Sequence, residues 1–354
     1  MELDKIRKQI DELDKDILDL LNRRASLAKE IGKIKVSSGK EIYIPHREKR
    51  IILELLRRNK GPLSSSAVSS IYREIFNVSR SLESKIKVAY FGPEGTFTHQ
   101  ATLRNFGSAS DYLPVKSIGD VFTEVEKDRA NYGVVPIENS TEGVVNHTLD
   151  MFIESDLVIC SEISMQIEEC LLSVSGRKKD VKKIYSFPNP LAQCRNWLEA
   201  NMPMVPLIEV SSTSEAARRA AKDKDAAAIA SEAAAALYGL EIVEKGIEDA
   251  KENYTRFLVI GKNQAGASGK DKTSILFSVK DKVGVLHDML VPFKKYKINL
   301  TKIESRPTKK RAWEYVFFID FLGHVSEPRI KKALAELSNH CLFMKILGSY
   351  PRAE

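Results

Sequence analysis

The hydrophobic pattern near the N-terminus is that of one long amphipathic helix. Apolar residues recur in alternating steps of four and three, and neither proline nor glycine interrupts the run before Gly32. These residues are Ile6, Ile10, Leu13, Ile17, Leu20, Leu27, Ile31 and Ile34. A single helix of this length cannot bury such a seam within a short segment, so we expect it to pair with a second copy of itself in a dimer.

Two further helical stripes follow before residue 84. Gly39 and Pro45 interrupt the first helix, and Gly61-Pro62 marks a turn between the second and the third. The stripes consist of Ile51, Ile52, Leu55 and Leu56, and then of Val68, Ile71, Tyr72, Ile75 and Phe76. The pattern predicts helices over about 47–59 and 64–84, and therefore an all-α first domain over residues 1–84.

From residue 86 to about 262, short apolar runs alternate with helical stretches. The runs are IKVAYFG, YGVVPI, LVICSEI, AAAIA and TRFLVIG, and turn residues flank them. This alternation predicts an α/β domain with largely parallel sheets. Ligands of such sheets bind beyond the carboxyl ends of the strands, which draws attention to the polar residues that follow Pro136.

The C-terminal part of the chain predicts a third domain. The stretch GKNQAGASGKDK at 261–272 is polar and rich in glycine, as linkers are. Beyond it, the apolar runs give the order strand-helix-strand-strand-helix-strand. This is the order of an α+β ferredoxin-like domain, which we expect over residues 272–354.

Composition and charge narrow the classes of function. The chain has 354 residues, of which 43% are hydrophobic and 29% charged, as in ordinary globular proteins. It has no apolar run near the roughly 20 residues of a membrane span, and its charged N-terminus lacks the apolar core of a signal peptide, so we expect a cytoplasmic protein. The net charge of +7 is scattered, which suits small carboxylate ligands and gives little support to nucleic-acid binding. The four cysteines fit no metal-binding spacing and are expected to be free thiols.

Charged residues stand on the core-facing sides of the predicted helices. Arg24 occupies a seam position, and Lys35, 11 positions later, shares its face at about 16 Å along the axis, with the small Ala28 between them. Ser79 and Glu83 likewise continue the apolar stripe of the third helix, where a buried carboxylate needs a partner. Two cations over a gap could bind a dianion. Alternatively, all these side chains could snorkel from the rim of the helices.

With these residues, the first domain resembles the helical class of chorismate mutases. The resemblance rests on IRKQIDELDKDILDLLNRRASLAKEIGKIK, on the PHRE turn and on IFNVSRSLE, and it covers nearly all of 1–84. It implies an intertwined dimer in which Arg7 reaches into the partner's site, and a rearrangement without a covalent intermediate, catalysed by positioning and by cations. The implied roles are binding of the two carboxylates and the ether oxygen by Arg24, Lys35 and Arg47, binding of the ring hydroxyl by Glu48, and closure of the pocket by Ser79 and Glu83.

Two positions depart from the mutase pattern. Relatives often carry Asp where this chain has Ile44, so binding of the ring hydroxyl would depend more on Glu48. Many carry Gln at the position of Glu83, and the Gln amide can donate a hydrogen bond to the ether oxygen. A glutamate can donate only when it is protonated.

Four polar segments of the middle domain offer candidate chemistry. The strand YGVVPI ends in Glu138, Asn139, Ser140 and Thr141, and YFGPEGTFTHQAT places a helix start, which suits an anion, after the first strand. SFPNPLAQC contains Ser186 and Gln193, and ENYTRFLVIG brings Thr255, Arg256 and Phe257 into a strand. Each of these features could also be purely structural.

Taken together, GPEGTF, VVPIENSTEG and NYTRF resemble the prephenate dehydratases in order and spacing across 86–262. The resemblance implies a cleft between two lobes, in which loss of water is coupled to loss of CO₂ without a metal or cofactor. In that cleft Thr255 would assist departure of the ring hydroxyl and Arg256 would bind a carboxylate. The remaining cleft residues would be Glu138, Asn139, Ser140, Thr141, Ser186, Gln193 and Phe257. The family usually has His and Gln where this chain has Phe187 and Asn189, so no histidine can act at that position.

The last domain resembles the ACT domains that sense phenylalanine, through GVLHDML and KIESRPTK. Gly284 would allow close approach of the amino acid backbone, and the site would lie at a dimer interface. The implied phenylalanine-binding residues are Gly284, Val285, Leu286, Asn299, Leu300, Glu304, Ser305, Arg306 and Pro307. A plain dimerisation domain is the alternative.

The three resemblances support one another, because a mutase makes the prephenate that a dehydratase consumes. They predict a bifunctional enzyme of phenylalanine biosynthesis, under feedback inhibition by phenylalanine, that forms a homodimer or homotetramer and needs neither nucleic acid nor membrane. Two alternatives are a regulatory sensor with a two-lobed ligand-binding module and a dehydratase that prefers arogenate. The length of the first helix argues against a DNA-binding helix-turn-helix.

Overall fold

The computed structural model describes residues 2–280, 282–307 and 315–353. Its N-terminal region consists of α1 (Glu2–Ser37), α2 (Pro45–Arg58) and α3 (Ser65–Glu83), which confirms the all-helical prediction. Ser64 caps α3 by accepting a hydrogen bond from the Ala67 N–H at 3.1 Å. A Cβ atom on Gly32 would lie 2.5 Å from the Cα of Glu83. Only glycine therefore allows α1 and α3 to approach so closely, and this contact brings their polar faces together.

The apolar seam of α1 is uncovered in the single chain. Leu13 and Leu20, for example, are 58% and 64% exposed. Such a long row of exposed apolar side chains is unusual for an isolated surface and is typical of an interface.

The middle region contains two lobes. Its first part forms β1 (Lys87–Phe91), α4 (Phe97–Phe106), β2 (Asp111–Val115), α5 (Ile118–Glu126), β3 (Tyr132–Asn139), β4 (Gly143–Val144), α6 (Asn146–Glu154) and β5 (Val158–Gln166). It continues with β6 (Cys170–Ser173), β7 (Lys183–Ser186), α7 (Pro188–Gln193), α8 (Arg195–Asn201), β8 (Leu207–Glu209), α9 (Thr213–Ala220), β9 (Ala226–Ala230), α10 (Glu232–Tyr238), β10 (Glu241–Lys245) and β11 (Tyr254–Gly261).

Each lobe has one mixed sheet, so the prediction of largely parallel sheets is wrong. The first sheet has the order β2-β1-β3-β11-β5, with β4 beside β3, and the second has the order β10-β6-β9-β7-β8. The chain leaves the first lobe after β5 and returns in β11, which is antiparallel to both β3 and β5. This return strand, which the alternation of strands and helices does not reveal, completes the first sheet and places its own N-terminal end at the boundary between the lobes.

The C-terminal region has the predicted ferredoxin-like order. It consists of β12 (Asp271–Val279), α11 (Val285–Lys295), β13 (Leu300–Pro307), β14 (Tyr315–Leu322), α12 (Pro328–Ser338) and β15 (Cys341–Pro351), in a sheet of order β13-β14-β12-β15. One face of this sheet packs on α11 and α12, where Phe317 and Ile319 are buried. The other face packs on the first lobe through Phe318 and Tyr350. Because the side chains of β14 alternate between the two faces of the sheet, this strand contributes to both cores.

The segment predicted as a linker is packed against other parts of the chain. The Gly266 N–H donates a hydrogen bond to Nδ1 of His46 at 3.0 Å. The Ala265 carbonyl lies 3.2 Å from Nε2 of His324. These contacts fix the C-terminal sheet close to the helical region. None of the helices in the described part of the chain combines the length and apolar character that crossing a bilayer requires.

Candidate active sites

The three N-terminal helices enclose a cavity of about 240 Å³. Two loop residues, Ile42 and Ile44, close one side of it. The predicted polar residues that line it are Arg24, Lys35, Arg47, Glu48, Ser79 and Glu83. The structure therefore brings together every mutase residue predicted from this region except Arg7.

Four of these polar side chains contact one another in pairs, whereas Arg47 is exposed. Lys35 Nζ donates to Glu83 Oε2 at 2.6 Å and to the Ile42 carbonyl at 3.1 Å. The Arg24 guanidinium donates to the Ser79 hydroxyl. The side chains of Lys35 and Glu83 are only 14% and 11% exposed. The alternative of solvated rim residues is therefore wrong for these two.

Arg80 is a residue of this site that sequence reasoning missed. Its guanidinium donates to both carboxylate oxygens of Glu48, at 3.1 and 3.2 Å, and to the Asn105 carbonyl of the first lobe at 2.6 Å. It also stacks over the ring of Tyr43. Burial raises the pKa of Glu48, and the Arg80 charge opposes that rise. Position 80 follows Phe76 by four residues on the apolar stripe of α3, and this spacing could have identified it.

Arg7 lies outside the cavity of its own chain. Its side chain is 67% exposed and approaches Asp4 at 4.0 Å. It precedes Arg24 by 17 residues, which corresponds to about 26 Å along a helix. Any contribution of Arg7 to such a cavity would have to be made in a second chain.

A second cavity, of about 640 Å³, lies between the two sheets of the middle region. Among the predicted residues, Asn139, Gln193 and Thr255 line it. Asn139 Nδ2 donates to Thr255 Oγ1 at 2.8 Å and to Asn253 Oδ1 at 2.7 Å. Asn253 Nδ2 in turn donates to Gln193 Oε1 at 3.1 Å. This chain of hydrogen bonds connects the ends of β3 and β11 with the second lobe.

Ser140 and Thr141 do not line the cavity but fix the turn that follows Asn139, so their predicted place in the cleft wall is corrected. The Thr141 hydroxyl and N–H donate to Asn139 Oδ1 at 2.6 and 2.9 Å. Ser140 Oγ donates to the Glu252 carbonyl at 3.0 Å and accepts from the Tyr254 N–H at 2.9 Å. Both residues thereby fix the turn after β3.

Two further predicted cleft residues belong to the protein core. Ser186 is completely buried, and its hydroxyl lies 3.2 Å from the Ile229 carbonyl, to which it donates. Phe257 is 1% exposed and packs among the apolar residues between the first sheet and α4. Neither side chain lines the cavity, so their predicted places in the cleft wall are corrected.

Arg256 and Glu138 face the C-terminal domain rather than the cleft. Arg256 donates to Glu138 Oε1 at 2.8 Å, to Glu162 Oε2 at 2.7 Å and to the Tyr350 hydroxyl at 3.0 Å, and it pairs with Asp320 at 2.7 Å. Its nitrogens are occupied, so the prediction that Arg256 binds a substrate carboxylate is wrong. Successive residues of a strand point to opposite faces, which places Thr255 in the cleft and Arg256 behind it.

Glu138 joins this buried group to the C-terminal domain. Its second carboxylate oxygen accepts a hydrogen bond from Lys302 Nζ of β13 at 2.5 Å. Burial works against the charge of Glu138, but Arg256 and Lys302 lower its pKa overall. Its predicted place in the cleft wall is therefore also corrected.

Residues that were not predicted close the cleft between the lobes. Glu142 Oε1 accepts from Gln193 Nε2 at 2.8 Å, and its other oxygen accepts from the Asn189 amide. Phe187, at the position where the resemblance implies histidine, lines the same cavity. The helix start of GPEGTF also borders it, through Pro93 and Thr96. Glu142 belongs to the motif ENSTEG, but the sequence does not show that its side chain points into the cleft.

The predicted phenylalanine-binding residues are divided between two faces of the C-terminal sheet. Gly284 precedes α11 with φ +83°, a conformation that favours glycine, and Val285 and Leu286 begin that helix. Asn299 and Leu300 lead into β13, on which Ser305 and Pro307 are exposed. Glu304 and Arg306 lie on the opposite strand face, and Arg306 pairs with Asp150 of α6 at 2.9 Å. Their side chains are therefore directed toward the first lobe, which corrects their predicted place beside Gly284.

Comparisons with known proteins cover the whole chain. Family models match for chorismate mutase type II at residues 6–84, prephenate dehydratase at 88–265 and the ACT domain at 273–339. The chain is 54% identical over 356 residues to a bifunctional chorismate mutase/prephenate dehydratase of Aquifex aeolicus, covering 99% of this chain and 98% of the relative. It is 45% identical to the protein of that name from Pseudomonas aeruginosa, with the same coverage of 99% and 98%. A crystal structure of prephenate dehydratase from Arthrobacter aurescens in complex with L-Phe is similar with a TM-score of 0.70 and 32% identity, covering 75% of this chain and 90% of that one.

Proposed function

Because the chain belongs to the family of bifunctional chorismate mutase/prephenate dehydratases, we propose that the two cavities described above are its two active sites. The enzyme rearranges chorismate to prephenate and converts prephenate to phenylpyruvate, under feedback by phenylalanine. One observation supports separate sites above all: the inward cations of α1–α3 and the Asn139–Thr255 pair lie in two distinct cavities. The test is turnover of chorismate by the full chain, following prephenate and phenylpyruvate, with and without phenylalanine.

In the helical cavity, the proposed chemistry is positioning of a dianion by cations. Arg24 and Arg47 would bind the two carboxylates of chorismate, and Glu48, held by Arg80, would accept a hydrogen bond from the ring hydroxyl. Negative charge develops on the ether oxygen as its bond to the ring breaks. Lys35 and a protonated Glu83, which lie 2.6 Å apart, would both donate to that oxygen.

We predict that mutase activity falls as pH rises. A glutamate at position 83 can donate to the ether oxygen only when it carries a proton, whereas its carboxylate would repel the developing charge. Glu83→Gln keeps a donor at every pH, so its profile should lack the fall. The measurement is kcat/KM for chorismate against pH in both chains. The same alkaline fall in Glu83→Gln would show that another group titrates.

In the cleft, Asn139, Gln193 and Thr255 would hold prephenate between the lobes. The Thr255 hydroxyl accepts a hydrogen bond from Asn139, so its own proton is free to bond the ring hydroxyl that leaves. Glu142, bonded to the Asn189 and Gln193 amides, would keep the second lobe against the first. The substrate would thus be shielded from water while it loses its hydroxyl and its ring carboxylate.

We place the domains at residues 1–84, 86–262 and 272–354, and we propose that the functional unit is at least a homodimer. The exposed seam of α1 and the remote position of Arg7 support this assembly, because a second α1 would cover the seam and could bring its Arg7 to this cavity. We further place the enzyme in the cytoplasm, since its four cysteines are free thiols, as expected in a reducing compartment.

Feedback by phenylalanine is proposed to pass through Lys302. This residue lies on β13, the strand that also carries the exposed Ser305 and Pro307, and it bonds Glu138 at 2.5 Å. Asn139 and Thr255 face the cleft from β3 and β11. Glu138 and Arg256 lie on the opposite face of the same two strands. If phenylalanine binds more tightly to one placement of strand β13 than to another, its binding shifts the strand. The ion pair between Lys302 and Glu138 would pass this shift to the strands that line the cleft.

Replacing Lys302 by methionine should raise the phenylalanine concentration for half-inhibition of the dehydratase by about tenfold. The substitution removes the charge that links β13 to Glu138 and keeps most of the side-chain volume. Lys331→Met, an exposed change on α12, is the matched control and should leave inhibition as it is in the parent. Inhibition of Lys302→Met at the parental concentration would rule out this route.

A further inference from the structure

Glu169 is a buried carboxyl group at the base of the dehydratase cleft. It lies in the connection between β5 and β6, next to the connection between β10 and β11. The side chain is 1% exposed and borders the cavity. Its backbone is fixed on both sides, because its N–H donates to Glu248 Oε2 at 2.9 Å and its carbonyl accepts from the Ile247 N–H at 3.0 Å. Its Oε2 atom, in contrast, has no hydrogen-bond partner among the described residues.

The surroundings of Glu169 favour its neutral form. Burial raises its pKa to about 8, and the carboxylates of Glu248 and Glu142 act in the same direction. The thiols of Cys170 and Cys194 are the other titratable groups that face it. The Glu169 carboxyl therefore keeps its proton at neutral pH, and its unpartnered oxygen can take part in a new hydrogen bond.

The other acidic groups that border the described cavity are poor proton donors. Hydrogen bonds from Arg219 and Arg218 lower the pKa of Glu215. Both carboxylate oxygens of Glu142 already accept hydrogen bonds, from the Asn189 and Gln193 amides. The Tyr238 hydroxyl is engaged with that of Ser214 at 2.8 Å. Among these groups, Glu169 alone combines a retained proton with a free oxygen atom.

We infer that Glu169 is a catalytic residue of the dehydratase, the acid that protonates the departing ring hydroxyl of prephenate. The ring C–O bond breaks, and the hydroxyl leaves as water with the proton of Glu169. The bond between the ring and its carboxylate breaks as well. Its electron pair enters the ring, CO₂ leaves, and the ring becomes aromatic. Solvent returns a proton to Glu169, so one proton is consumed per turnover and neither oxidant nor reductant is needed.

This role completes the one proposed for Thr255. A threonine hydroxyl is too weak an acid to supply the proton, but it can orient the leaving hydroxyl toward a stronger one. The inference rests on the proposed use of the cleft as the dehydratase site. Dehydratase turnover of the parent chain is therefore measured first, and its absence would refute that use of the cleft together with the role of Glu169.

The test compares Glu169→Gln and Glu248→Gln with the parent in the full chain, with prephenate as substrate. The parental kcat should fall above pH of about 8. Glu169→Gln, which has no proton to give, should lower kcat by about 100-fold and remove that fall. Mutase activity in the same chain serves as the check of folding.

Glu248→Gln is the matched control at the neighbouring position. It can still accept the Glu169 N–H, but it loses the like charge that raises the Glu169 pKa. The pH above which kcat falls should therefore be lower in this variant than in the parent. Below that pH, kcat should stay within about threefold of the parental value. A Glu169→Gln chain with parental kcat and pH profile would overturn the inference. An unshifted fall in Glu248→Gln would also overturn it, whether or not Glu169→Gln folds.

Discussion

Replacing Lys35 by methionine is expected to lower kcat/KM for chorismate by about a thousandfold. The Lys35 side chain is only 14% exposed, lines the cavity and donates to Glu83. It is a proposed donor to the ether oxygen, and methionine keeps the stem of the side chain without the charge. The substitution also removes the hydrogen-bond partner of the Glu83 side chain, which adds to the loss. The measurement is the initial rate of chorismate consumption.

Lys33→Met is the matched control for this prediction. Lys33 lies on the same helix, two residues earlier, and is exposed. Its substitution should leave mutase activity within about threefold of the parent, and both variants should convert prephenate at the parental rate. Parental mutase activity in Lys35→Met would remove Lys35 from the mechanism.

Replacing Thr255 by alanine is expected to lower the dehydratase kcat by about 100-fold. The hydroxyl of Thr255 lies in the cleft and accepts a hydrogen bond from the Asn139 amide at 2.8 Å. Its own proton is therefore available to bond the proposed substrate. Alanine removes the hydroxyl and leaves the Asn139 amide without one of its two acceptors. The measurement is the rate of phenylpyruvate formation from prephenate at saturation.

Thr255→Ser separates the hydroxyl from the rest of the side chain. Serine retains the oxygen, so its kcat should stay within about tenfold of the parent, well above that of the alanine variant. Dehydratase activity of Thr255→Ala within about threefold of the parent would exclude a role for this hydroxyl in departure of the leaving group.

The sequence predicted the elements and the residues of the helical site well, for a physical reason. Helical periodicity assigns each residue of α1 and α3 to a face, and a charge on a core face needs a partner. Arg24, Lys35 and Glu83 follow directly from this rule. Arg80 obeys the same spacing, but its partners, Glu48 and the Asn105 carbonyl, come from two other elements of the chain. Periodicity shows that a side chain is buried and does not show what buries it.

The dehydratase cleft was predicted less completely, because strand residues alternate between two faces that both are buried. Asn139 and Thr255 face the cleft, while Glu138 and Arg256, their neighbours in the chain, face the C-terminal domain. The order of residues in a motif does not show which of the two faces each side chain occupies. The docking of the C-terminal sheet on the first lobe decides between them, and this docking depends on contacts far apart in the sequence.

The closing test of two separate sites uses the Lys35→Met and Thr255→Ala chains, each purified and supplied with chorismate. Neither alone should form phenylpyruvate at more than about one hundredth of the parental rate, because the first lacks prephenate and the second cannot consume it. Their mixture should restore formation of phenylpyruvate, since prephenate made by one chain reaches the intact cleft of the other. A mixture as inactive as its components would contradict two independent pockets.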